Sequence, residues 1–334
     1  MFAKKRNADS IRSNRHPQDT RTLHPKTEKI LRPKNPHVQK AKRVAKTALR
    51  LFLGMQFYER LLMFRHLGYW PHILHPRSFN EKTAYRKMYA WKNVPPQLAD
   101  KWAVRAWVAR TVGEKYLNEV YGVYDRAEDI DFSKLPETFV LKATHGSAMN
   151  ILVCNREGFD EAATREKCRK FLATTYGWLC NELWYASIPH RIIAEKYLSQ
   201  PGKALPDDYR CFVFDGHMNH AEVDCNRKTP HITNTTMSRD WKLLPFAQYL
   251  PCDSDLPKPP CWEEMVEVAE KLGAGFDFVR VDLYSPDGKS VIFGEMTFAH
   301  ESGWSNFLPT SQDDFEVGKL WRIAAGLGQN NRIY

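Results

Sequence analysis

The sequence predicts a mixed α+β (α/β) protein, and three observations carry that prediction. Short runs rich in β-branched and aromatic residues, such as TFVLKA at 138–143 and RIIAEKYL at 191–198, alternate with segments of helical period. Asp-Gly dipeptides at Asp215-Gly216 and Asp287-Gly288 each stand between two such runs, a strong short-range hairpin signal. Other strands are separated by helices, which requires crossovers, and 334 residues with 43% hydrophobic side chains support two or three packed subdomains.

Residues 1–36 are expected to form a disordered basic tail. Residues 1–50 hold 15 Lys/Arg against Asp9, Asp19 and Glu28, a balance of +12, whereas the whole chain carries +10. The basic character therefore belongs to the tail and not to the folded body. A Pro-, Lys- and Arg-rich tract with few aromatics cannot bury enough surface to fold alone. Its charge suits peripheral contact with an anionic membrane on the cytoplasmic face or with nucleic acid phosphates, while a solvated extension is the plainer account. Nothing in the sequence signals a specific nucleic acid. Residues 37–68 form an amphipathic helical segment in which Leu51, Met55, Tyr58 and Leu62 recur at helical spacing behind Arg43, Lys46 and Arg50. That pattern permits attachment to a membrane surface, but docking on the protein's own core is preferred. Arg50, Glu59 and Arg60 interrupt the most apolar stretch, so it is not a bilayer span.

Residues 69–135 read as a helical region. Ser78-Phe-Asn-Glu81 has capping-box spacing and opens a helix ending near Trp91, and Pro95-Pro96 precedes a second helix, QLADKWAVRAWVARTVG, closed by Gly113. Residues 136–203 form a small subdomain: strand TFVLKA, loop THGSAMN, strand ILVCN, helix DEAATREKCRKFLATTY and strand RIIAEKYL. Residues 204–334 form a second subdomain, with a hairpin YRCFVFDGHMNHAEVD, a helix CWEEMVEVAEKLGAG and a closing hairpin. The seven cysteines include no CxxC pair and are odd in number, which points to reduced thiols in a cytoplasmic protein.

The closing hairpin, FDFVRVDLYSPDGKSVIFGEMTF, carries charge where strands are normally apolar. Arg280 and Asp282 share one face, as do Glu295 and Thr297. Pairing about Asp287-Gly288 sets Asp282 opposite residue 293 for a two-residue loop or 295 for a four-residue loop, and either register gathers the polar set on one side. Two carboxylates held together repel unless a proton or cation joins them, and hard oxygen ligands in small number suit Mg²⁺ completed by phosphates. The competing explanation is a salt-bridged sheet face with Arg280 neutralising Asp282. Upstream, Lys142 ends a strand, and His145-Gly146-Ser147 opens a loop whose backbone N–H groups and hydroxyl suit phosphate oxygens, although neither phosphate-loop glycine pattern is matched. His217 and His220 in HMNH are expected on opposite strand faces, which makes a histidine metal site a minority reading.

Taken in order, Lys101 in ADKWAVR, Lys142 in FVLKATHGS, Glu195-Lys196-Tyr197-Leu198, Arg280-Val-Asp282 and Glu295-Met-Thr297 resemble an ATP-grasp enzyme. Together with SFNEKTAYRKMY and DYRCFVFDG, they resemble the TupA-like ATP-grasp family, named for teichuronopeptide biosynthesis, over about residues 70–325. The resemblance implies a nucleotide held between two α+β subdomains. It implies Lys101 and Lys142 on ATP phosphates under the loop of His145, Gly146 and Ser147. Glu195 would meet the adenine amino group and Lys196 would belong to the same nucleotide site, with the backbone near Tyr197 and Leu198 completing the adenine site. Asp208 would take the ribose and Arg210 a phosphate. Asp282, Glu295 and Thr297 would hold Mg²⁺, and Arg280 would face the charge that develops during reaction. The sequence departs from the family pattern at Ala148-Met149, where Gly-Gly is usual, and at Arg210, where Lys is common.

The resemblance further implies a carboxylate–amine ligase acting through an acyl phosphate, with a glycan or sugar-linked carboxylate and an amine as partners in capsule or exopolysaccharide assembly. Phosphotransfer to a sugar hydroxyl, a glycosyltransferase-type role and a non-catalytic scaffold remain as alternatives. His300 and Glu301 are candidates for touching the acceptor, with an exposed loop pair equally compatible.

Overall fold

The computed structural model describes residues 36–323 apart from 155, 157, 204 and 250; the tail expected at 1–36 falls outside the described residues up to residue 35. Helix α1 (Pro36–Leu67) is broken at Gly54, whose φ of 73° is a left-handed conformation that glycine adopts without penalty. Helix α2 (Phe79–Tyr89) begins in the expected capping box: Ser78 Oγ accepts from the Glu81 N–H at 3.1 Å while the Glu81 carboxylate accepts from the Ser78 N–H at 3.1 Å. The single helix expected after Pro95 is instead a turn at Pro96–Ala99 followed by α3 (Val104–Thr111). Asp100 is the cause. Its Oδ1 accepts from the N–H groups of Trp102 and Ala103 at 2.8 and 3.3 Å, which ends one turn and starts the next.

Four strands, β1 (Val120–Tyr124), β2 (Phe139–Ala143), β3 (Asn150–Val153) and β4 (Ile192–Lys196), form an antiparallel sheet in the order β1-β4-β2-β3. Strand β1 was absent from the sequence expectation. Helix α4 (Glu161–Leu172) joins β3 to β4 and packs under this sheet through Cys168, Phe139, Leu141 and Ile192. A second antiparallel sheet has the order β7-β6-β5-β8-β9, from β5 (Asp208–Phe214), β6 (His217–Cys225), β7 (Thr233–Ser238), β8 (Phe278–Tyr284) and β9 (Ile292–Thr297). Helix α5 (Trp262–Gly273) lies on one face, where Trp262, Met265 and Leu272 meet Cys211, Val213, Ala221 and Val281 in the largest core cluster. Among the described residues, every strand pairing is antiparallel, so the fold is α+β.

The opposite face of the larger sheet is divided. One end is aromatic: Phe79 of α2 sits among Phe212, Phe214, Phe278, Phe307 and Trp321, next to α6 (Gln312–Leu320). Buried Arg86 joins α2 to this end by donating to the carbonyls of Phe278 and Phe298 at 2.8 and 3.0 Å, beside Asp277. The other end is charged. Helix α1 reaches the body through apolar and polar groups together: Met55, Met63 and Leu67 pack with Ile73, Ala84 and Met88, Lys87 Nζ meets Glu59 at 2.6 Å with both side chains fully buried, and Asn181 receives Arg50 and donates to Glu59. No described helix is long and apolar enough to cross a membrane.

Candidate functional site

The charged end of the sheet is built by strand parity and one bulge. Arg280 is opposite Thr297, and Asp282 opposite Glu295, across β8 and β9, while Leu283 is opposite Phe293. Gly294 is therefore an extra residue in β9. A Cβ there would lie 2.8 Å from the Tyr284 ring and 3.0 Å from the Asp282 carbonyl, so only glycine fits this bulge. The hairpin loop spans residues 285–291 and is not the two- or four-residue loop considered from sequence. Its turn is held by Asp287, which accepts from the N–H groups of Lys289 and Ser290 at 2.9 and 2.7 Å. Across β5 the same face gains Arg210 opposite Asp282, and β6 adds Glu222 opposite Arg210 and Asp224 opposite Asp208.

Arg280 lies at the centre. Its Nε and Nη2 donate to the two oxygens of Asp282 at 2.7 and 2.6 Å, and Nη2 also approaches Glu295 Oε1 at 3.3 Å and Thr297 Oγ1 at 3.2 Å. Its Nη1 meets His300 Nδ1 at 2.7 Å, and the far nitrogen of that ring contacts Gln248 and lies 3.7 Å from Glu222 Oε2. His300 is fully buried, so it backs Arg280 from inside the protein, and the expectation of an exposed loop residue touching the acceptor is corrected for it; Glu301 is exposed. Burial raises the Asp282 pKa by more than the Arg280 guanidinium lowers it. Burial also acts to raise Glu295, but Lys101 and Arg280 outweigh it and hold that carboxyl below its ordinary value. Glu222, deeper in the sheet, is pushed up to about 8 by burial despite Arg210.

Asp208 lies between Arg227 (2.9 Å) and Arg210 (3.2 Å), and its Oδ1 is buried with no hydrogen-bond partner. Arg210 also reaches Asp224 at 2.7 Å. Such an orphaned buried carboxylate oxygen signals a site awaiting a donor.

The smaller sheet contributes its own face. Lys142 on β2 and Glu195 on β4 meet at 2.7 Å, with Arg105 Nη1 at 3.9 Å from the other Glu195 oxygen. Lys196, by alternation, leaves on the opposite face and lies 3.6 Å from Glu119; its carbonyl accepts from Asn118 at 2.8 Å. Its side chain therefore stands apart from the Glu195 face. Tyr197 and Leu198 follow just beyond the strand, half-buried. His145 is likewise turned inward: it stacks on His190 with ring centroids 3.8 Å apart, and Nε2 lies 3.2 Å from the Phe171 carbonyl. Burial and His190 lower its pKa to about 4, so it is neutral at pH 7 and any phosphate contact would come from its backbone. Ser147 hydrogen-bonds Tyr176. At Gly146 a Cβ would fall 2.6 Å from the Tyr176 ring, which explains the glycine. Ala148 adopts φ 59° where the resembled family has glycine.

Lys101 ties the two sheets together. Its backbone N–H donates to the Thr144 carbonyl at 3.1 Å, Nζ donates to the Gly146 carbonyl at 2.6 Å, and Nζ lies 3.8 Å from Glu295 Oε2. The structure thus gathers Lys101, Arg210, Arg280, Asp208, Asp282, Glu295 and Thr297 in one network, with Lys142 and Glu195 on the facing sheet. Among the described residues no group of three or more His, Cys, Asp and Glu is arranged to hold a metal ion. A bulge at Asn219 brings His217 and His220 to the same face, correcting the expected alternation; His220 is nevertheless buried against Phe212 and His217 is exposed. Sequence reasoning missed Glu222, Gln248, Arg227 and Arg105. Only Glu222 had a usable signal, its strand parity with Arg210.

The family model described as TupA-like ATPgrasp matches residues 81–321. None of the curated proteins matches the sequence. Solved structures with a related arrangement include a D-alanine–D-alanine ligase from Bacillus anthracis complexed with ATP, at 13% identity over 60% of this chain and 54% of that one, TM-score 0.36. Others are an L-amino acid ligase from Bacillus licheniformis (14%, 62% and 44%, TM-score 0.39) and an N5-carboxyaminoimidazole synthase from Aspergillus clavatus in complex with ADP (11%, 60% and 44%, TM-score 0.35). The chain spans about half the length of these proteins.

Proposed function

The chain belongs to the TupA-like ATP-grasp family, and from that premise we propose that it is an ATP- and Mg²⁺-dependent carboxylate–amine ligase of cell-surface polysaccharide assembly. One observation carries most weight: Asp282 and Glu295 are directly opposite on adjacent strands, with Arg280 between them and Lys101 reaching from the other sheet. Glu295 and the Thr297 hydroxyl, with Asp282 once a cation displaces its two Arg280 contacts, would supply oxygen ligands to a divalent cation whose remaining positions are taken by phosphate and water. When bound, Mg²⁺ supplies charge neutralisation of the phosphates.

The protein's own groups divide the remaining work. Lys142 and Lys101, both on the side of the smaller sheet, would neutralise phosphate oxygens, and Glu195 beside Lys142 would accept from the adenine amino group. Asp208, with its unpaired Oδ1, is placed to accept from a ribose hydroxyl. A substrate carboxylate oxygen attacks the γ-phosphorus and ADP leaves; the amine nitrogen then attacks the acyl carbon, phosphate departs and the amine proton is lost to solvent. Arg280, held by Asp282 and His300, is positioned to stabilise the negative charge of that addition. The substrates that fit the family's association are a sugar-linked carboxylate and an amine.

The test is ADP release by the purified full-length chain. ADP formation should require both a carboxylate and an amine, and Asp282→Asn with Glu295→Gln should reduce it at least a hundredfold. Phosphate appearing on a sugar hydroxyl by phosphorus NMR, or ADP release with neither substrate, overturns the ligase reading.

A further inference from the structure

Helix α1 docks one side on the body and leaves the other bare. Arg50, Tyr58, Glu59 and Met63 are buried, whereas Val44, Leu51 and Phe52 face solvent, Leu51 at 70% and Phe52 at 87% exposure. Val44, Leu51 and Phe52 fall at i, i+7 and i+8, one stripe of the helix before the Gly54 break. Beyond the break Phe57 and Phe64 flank Trp70 at 6.1 and 5.9 Å, an aromatic cluster whose members are each 45–46% exposed. The sequence expectation of a helix docked on its own core therefore describes only one of its sides. In particular, Leu51 was assigned to the docked stripe but stands in solvent, whereas Tyr58 of that stripe is buried and Met55 packs on the Met63 cluster.

Charge says what covers the bare side. From Lys29 to Asn80 inclusive the sequence holds eleven Lys/Arg and one acidic residue, Glu59; of the cations, Arg50 is buried against Asn181, while Lys46, Arg65 and Arg77 are exposed. Glu59 is fully buried against Lys87, so it offers no negative charge to the surface. A second copy of the chain would present the same basic face and be repelled. Exposed aliphatic and aromatic side chains on a segment that also exposes Lys46, Arg65 and Arg77, with Trp70 beside them, match the chemistry of an anionic bilayer: acyl chains for the apolar stripe and headgroup phosphates for the cations. We propose that the bare side of α1, with the Phe57–Phe64–Trp70 cluster, is a docking surface for anionic phospholipid membrane. The proposal is independent of the ligase reading, since it concerns residues outside the cleft.

Vesicle flotation of the full chain tests it. The wild-type protein should float with phosphatidylcholine vesicles containing about one-third phosphatidylglycerol, float less at high salt, and stay unbound with phosphatidylcholine alone. Leu51→Glu/Phe52→Glu should weaken partitioning by about tenfold or more while leaving the thermal midpoint unchanged, because neither side chain packs against the body. If that double variant is destabilised, Val44→Glu serves as the second variant with the same expected loss. Equal flotation of wild type and variants overturns the proposal by assigning binding to the tail alone. Failure to float, equal binding to neutral vesicles, or light scattering that shows self-association abolished by the same substitutions overturns it as well.

Discussion

Arg280 meets Asp282, Glu295, Thr297 and His300 at once, so its guanidinium has almost no freedom left. A charge fixed in this way does not need to reorganise when negative charge develops near it, which is the main electrostatic advantage a buried site offers. Behind it, Glu222 carries a pKa of about 8, set first by burial. A carboxyl whose folded-state value lies above its unfolded one favours the folded state at low pH, and that stability is lost as pH rises from about 4.5 towards 8. Glu222→Gln should therefore flatten the decline of the thermal midpoint between pH 5 and pH 8 and raise the midpoint at pH 8. A midpoint with unchanged pH dependence would show that Glu222 is ionised in the folded protein. The sequence made Arg280 and Asp282 legible through two-residue alternation, but not their support: His300, just after β9, reads there only as an acceptor contact, and Gln248 arrives from a distant loop.

Elements are joined here by buried polar groups as well as by apolar cores. Helix α2 was legible from its capping box, yet its Arg86 and Lys87 would be assigned to solvent by any rule of polarity. Both are buried, one holding the aromatic end of the sheet and the other holding α1. Removing one member of a buried pair leaves an uncompensated charge, whereas replacing both can be nearly neutral. Glu59→Gln should thus cost about 3 kcal/mol in urea unfolding, and Glu59→Leu with Lys87→Met should recover most of that loss. If the double variant is as unstable as the single one, the Asn181, Trp304 and Ser302 contacts carry the docking instead. Strand β7 escaped notice for a related reason: TNTTMS lies on the polar sheet face and lacks the apolar alternation by which strands are recognised.

The two sheets are separate in sequence, and Lys101 is the side chain that touches both sides of the cleft. Lys101→Met should weaken binding of a non-hydrolysable ATP analogue by about 2 kcal/mol, roughly thirtyfold in Kd by calorimetry, without unfolding either sheet. An unchanged Kd would place the phosphates elsewhere. The ATP-grasp fold was legible because its motifs occur in a fixed order that survives without any knowledge of pairing. Side-chain direction was less so: Lys196 turns outward and His145 inward, since neighbours in sequence share a motif but alternate in space. The bulge at Gly294 has a wider meaning for this architecture. It puts the two ends of the β8–β9 hairpin out of phase by one residue and so insulates the site from its own loop. Within residues 285–291 the constraints are the loop's own, Asp287 holding the turn and Val291 the core, while Glu295 keeps its place opposite Asp282 through a glycine that has no side chain to contribute.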